Sequence, residues 1–69
     1  MPVVLRKPRV QVRADIPVCQ LYQAVLQALA AWSDQQADAF AGAAAYALTR
    51  EELETLARQY VELDILPSA

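Results

Sequence analysis

Five residues, Arg9-Val10-Gln11-Val12-Arg13, carry the most specific chemistry of this chain. Successive side chains of a strand point to opposite faces, so Arg9, Gln11 and Arg13 form one row and Val10 and Val12 the other. Arg and Gln both make bidentate hydrogen bonds to base edges, which suits that row to the major groove of DNA. Arg6 and Lys7, just upstream, add cations of the kind that hold phosphates. The same row equally suits an ordinary solvated strand face, where charges protect an open edge from aggregation.

Other residues with chemical potential form less complete patterns. Asp34 and Asp38 stand four apart, but two carboxylates without further ligands read as the solvated first turn of a helix rather than a metal site. Glu51, Glu52 and Glu54 read as helix-start residues placed against the positive end of the macrodipole. Cys19, the only cysteine, reads as a small buried apolar residue and can form no internal disulfide. The chain has no histidine, and Gly42, its single glycine, offers no phosphate-cradling loop. The expectation is therefore a protein that is not an enzyme and uses no metal, cofactor or small-molecule substrate.

The elements that must position these residues follow from composition and patterning. With 69 residues of which 57% are apolar, the chain reads as one small domain with more apolar surface than a monomer comfortably hides. A homodimer or an obligate partner is the expected cover. The net charge of −2 is unevenly spread. Arg6, Lys7, Arg9 and Arg13 give residues 1–13 a charge of +4, while two arginines and eight acids give residues 14–69 a charge of −6. This reads as a basic arm on an acidic body, and the acidity of the body works against attraction to phosphate. Residues 1–13 lack the apolar run of a secretory leader, and Gln20, Gln23 and Gln27 interrupt the longest uncharged stretch. A cytoplasmic protein with no membrane partner is expected.

Along the chain, residues 1–8 read as a flexible arm, 9–66 as one strand-helix-helix-helix domain and 67–69 as a tail. After the strand, Asp15 is the expected helix cap, with Pro17 in the first turn. The first helix is expected over 16–31, with the three glutamines as its only polar stripe. Leu21, Val25 and Leu29 belong to its apolar majority. Ser33 with Gln36 forms a capping box that opens a second helix to about residue 48. Its small-residue run, which includes Phe40, is expected to cross another helix at the core of the assembly. Thr49 with Glu52 forms a second capping box. The third helix then lines up Leu53, Leu56, Ala57, Tyr60 and Val61, with Glu54 and Arg58 paired on its wet side and Ile65 and Leu66 as a short apolar tail.

The order of a basic alternating strand, a first helix of about four turns and a Ser33-capped second helix resembles the ribbon-helix-helix family of DNA-binding proteins, over residues 9–48. The resemblance implies a mainly α fold and an intertwined homodimer, with two strands paired as an antiparallel ribbon in the major groove. Arg9, Gln11 and Arg13 would then face bases, and Ser33 with the start of the second helix would contact a phosphate. Val10, Val12, Leu21, Val25, Leu29 and Phe40 would form the dimer core. The implied function is a small dimeric transcriptional repressor. The alternative is a protein-interaction module (an adaptor, a small inhibitor or a chaperone-like subunit). It would add its strand to a partner's sheet, or dock a surface made of Trp32 and the Leu53, Leu56, Tyr60 stripe.

Overall fold

A computed structural model describes residues 7–47 and 49–67. The chain runs β1 (Arg9–Arg13), α1 (Val18–Trp32), α2 (Asp34–Ala44), α3 (Arg50–Tyr60) and β2 (Glu62–Leu66). Three helices and a short N-terminal strand make it mainly helical, as expected. The second strand was not expected. Residues 62–66, read from sequence as a helix end and an apolar tail, pair with β1 in parallel, in the register Arg9↔Glu62, Gln11↔Asp64, Arg13↔Leu66. Parallel neighbours need a long crossover, and here all three helices supply it.

This second strand gives the apolar row of β1 cover within one chain. The family resemblance places Val10 and Val12 in a core shared with a second chain. Both are buried in a single chain, together with Leu21, Val25, Leu29 and Phe40. α1 packs on β1 and α3 on β2, so the helices cover the inner face of the sheet. α1 needs less cover than its hydropathy suggests. Its fully buried side chains are Leu21, Val25 and Leu29, spaced by four, while the three glutamines lie exposed. Cys19, expected to be buried, is exposed too, placed in the first turn off that stripe. Much of the remainder is alanine, which exposes little apolar area when it faces water.

The caps explain the element boundaries. Pro17, not Asp15, is the N-cap of α1; its extended backbone lets its carbonyl accept from both Gln20 and Leu21. The ring fixes φ near the value the cap uses, and with no side-chain cap the first N–H groups belong to the exposed Val18 and Cys19. Ser33 is at once the end of α1 and the N-cap of α2, and its hydroxyl accepts from the Gln36 N–H. Thr49 caps α3 in the same way through the Glu52 N–H. α2 stops at Ala44, earlier than expected, with Tyr46 and Ala47 donating to carbonyls three residues back. Within α2 only Ala37 and Phe40 are buried, and Ala44 and Ala47 pack against the core at its end. α2 packs on both α1 and α3, and Gly42 lies off that contact: a Cβ there would meet nothing within 4 Å.

The centre of the core is an aromatic stack. Phe40 is fully buried, with the Tyr22 ring at 5.7 Å and nearly parallel, and the Tyr60 ring at 5.6 Å edge-on. Tyr60, Leu53 and Leu56 were candidates for a partner-facing stripe. Leu53 instead lies in the core, and Leu56 and Tyr60 pack against it. Helical spacing specifies a buried stripe without specifying what buries it, and here the chain itself does.

Candidate functional site

The outer face of the sheet carries the row singled out from sequence. Arg9, Gln11 and Arg13 are all exposed, with Val10 and Val12 beneath them. The register sets Glu62, Asp64 and Leu66 beside them on the same face. Asp64 holds Arg9 through an Oδ2–Nε contact of 2.8 Å. The face therefore bears two cations and two anions rather than a basic stripe. Exposed ion pairs contribute little stability, about 0–1 kcal/mol, but they cancel the long-range field that attracts phosphate. Arg13 sits opposite Leu66 and makes no ion pair among the described residues.

The edge of β1 is as informative as its face. The Glu62 N–H donates to the Pro8 carbonyl (2.9 Å) and the Ala14 N–H to the Leu66 carbonyl (2.8 Å). In a parallel ladder the residues whose backbone groups face the partner alternate, so residues 8, 10, 12 and 14 face β2. The backbone groups of Arg9, Gln11 and Arg13 therefore face away from β2, and the sheet has no further strand there among the described residues. Among the described residues, the Arg13 carbonyl alone of these groups is engaged, by the Ile16 N–H. Beside this edge runs a groove of about 440 Å³ between Val12 on β1 and Ile16, Pro17, Gln20 and Ala24 at the start of α1. No residue of β2 borders it, which puts it on the open side of β1.

The other sequence candidates are dispersed. Lys7 donates from Nζ to the Arg58 carbonyl in the last turn of α3, where a cation complements the helix dipole. It and Pro8, expected in a flexible arm, thus contact the body; Arg6 lies outside the described residues. The Ser33 hydroxyl is committed to its cap on α2. Trp32 is 43% exposed at the end of α1. Glu54 pairs with Arg50 rather than with Arg58 (Nε–Oε2, 2.9 Å). No group of three or more metal-ligating side chains occurs among the described residues. None of the described helices is long and apolar enough to cross a membrane.

Sequence reasoning passed over Arg50, which supports the groove. From the first turn of α3 its guanidinium donates to the Ala14 carbonyl (Nη2, 2.8 Å) and to the Ile16 carbonyl (Nη1). It thus pins the β1–α1 loop that forms one wall of the groove. The available signal was a mismatch: a cation at a helix N-terminus opposes the dipole, so it must be used for something else. Arg50→Ala should lower stability by about 1–2 kcal/mol, since it leaves two loop carbonyls without their charged donor. For a domain this size that is a fall of about 7–14 °C in Tm by calorimetry. Arg50→Lys should recover little, because a lysine cannot bridge two carbonyls as a planar fork does. An unchanged Tm in Arg50→Ala would show that the loop is held by other contacts.

No family model, curated protein or solved structure matches this chain.

Proposed function

We propose that this chain is a non-enzymatic protein-interaction module that takes up a strand of its partner along the free edge of β1. The observation that carries this reading is the edge itself. Successive outward-facing backbone positions at Arg9, Gln11 and Arg13 lie beside a groove whose apolar wall is Val12, Ile16, Pro17 and Ala24. An added strand would gain main-chain hydrogen bonds from the edge and place alternate side chains over the groove.

DNA reading by a ribbon of two β1 strands fits this geometry less well. Joining two chains through the free edges would give the strand order β2-β1-β1-β2. Its outer strands would be about 14 Å apart before side chains are added, against a major groove about 12 Å wide. Glu62 and Asp64 would also be carried toward the phosphates.

Gln11→Pro tests the interaction reading. Gln11 faces its N–H away from β2, so proline there keeps the β1–β2 ladder while removing a donor from the edge and crowding it. The variant should melt within about 1 kcal/mol of the native chain, because proline is tolerated on edge strands. In affinity capture from native extract, the native chain should retain one dominant protein and the variant at least tenfold less of it. Equal retention by the variant would overturn the edge as the binding surface. A duplex DNA affinity that falls steeply with salt and vanishes in the Arg9, Gln11, Arg13 triple alanine variant would return the chain to the ribbon reading.

A further inference from the structure

We infer that the segment taken up by β1 is an extended stretch of a partner protein that sets apolar side chains opposite Val10 and Val12 and a carboxylate opposite Arg13. This rests on the strand-uptake reading above and specifies the chemistry of the occupant.

Two features of the edge determine that chemistry. An added strand keeps the pleat of β1, so its side chains opposite Val10 and Val12 fall on the inner side, over the wall formed by Ile16, Pro17 and Ala24. Those positions take apolar residues. Its side chains opposite Arg9, Gln11 and Arg13 fall on the solvent face. There Arg9 is already neutralised by Asp64, whereas Arg13 has only Leu66 across the existing ladder. The carboxylate that complements the row therefore belongs opposite Arg13. Asp15, exposed at the mouth of the groove, repels a further carboxylate beyond that point and confines the acid to the strand register. Opposite charges in direct cross-strand register are favourable and like charges are not.

The same rule weighs against a second copy of this chain as occupant. Two-fold antiparallel pairing over all five residues of β1 centres on Gln11. It sets Arg9 of each chain opposite Arg13 of the other, placing like charges in register at both ends. The row thus rejects its own kind and selects an acidic strand.

The experiment uses the full chain and three capped nine-residue peptides that alternate valine with glutamate, lysine or threonine. Backbone amide shifts and hydrogen exchange are followed by NMR during titration. The glutamate peptide should shift and protect the Arg9, Gln11 and Arg13 amides and bind at least tenfold more tightly than the lysine peptide. In Arg13→Ala that preference should fall below threefold, while Arg58→Ala, at the end of α3, should keep it. Equal or tighter binding of the lysine peptide, still abolished by Gln11→Pro, would overturn the acidic occupant and leave strand uptake standing. If no peptide perturbs these amides and Gln11→Pro is without effect on partner capture, both readings fall. A chain that is dimeric in solution with these amides already protected would make the occupant a second copy and overturn the inference.

Discussion

A chain cut after Tyr60 is expected to lose its fold. The cut removes Val61, which is 1% exposed, together with Leu63 and Ile65, which pack against the core. It also removes the only strand hydrogen-bonded to β1 among the described residues, so Val10 and Val12 lose their cover. Burying one such side chain is worth about 1.5–3 kcal/mol, and several are lost together. A domain of this size has in total about 3–10 kcal/mol of stability. The cut chain should show no cooperative transition in urea, and its α-helical circular dichroism should fall sharply. This variant also separates the two architectures. In a ribbon-helix-helix dimer, β1 pairs with β1 of the other chain, and residues 61–69 are dispensable. A cut chain that remained folded and dimeric would overturn the intrachain parallel sheet as the architecture in solution.

Phe40→Ala is the second substitution with a large expected effect. Phe40 is fully buried and links α2 to α1 through Tyr22 and to α3 through Tyr60. Truncating a buried phenylalanine costs about 3–5 kcal/mol, transfer and cavity terms together. Each ring pair adds about 0.5–1.5 kcal/mol beyond simple burial, which places the loss at the upper end. The variant should be largely unfolded at room temperature. Phe40→Leu should stay folded, with its urea midpoint lowered by about 1–2 M and its m-value unchanged. A Phe40→Ala chain that kept its native melting temperature would mean that the three helices do not share this core.

What could be read from the sequence was local. Ser33 and Thr49 identify two helix starts because a cap satisfies its own backbone within three residues. β1 is legible because valines alternate with polar residues, and Leu21, Val25 and Leu29 mark the buried face of α1 at a spacing of four. β2 was not legible in the same way. Leu63 and Ile65 do alternate with Glu62 and Asp64, but no turn signal separates them from α3, and Pro67 soon follows. Their strand character depends on β1, at the other end of the chain. The site was legible to the same extent. The exposed row of Arg9, Gln11 and Arg13 followed from periodicity, but its charge balance did not, because Asp64 reaches Arg9 only through the register. Arg50 was invisible for a related reason: its two acceptors, Ala14 and Ile16, are backbone carbonyls that no side-chain pattern marks.

The parallel pairing of the first and last elements has a consequence for synthesis. β1 leaves the ribosome first and must wait for roughly fifty further residues before β2 emerges, about 3–10 s at ordinary elongation rates. For that time both of its edges are bare, and Val10 and Val12 are exposed to other nascent chains. Arg9 and Arg13 interrupt the short apolar alternation with charges that disfavour pairing between identical copies. The row on the outer face thus acts as a gatekeeper while the chain is being made. Asp64, the residue that later neutralises Arg9, emerges only with the strand that ends the exposure.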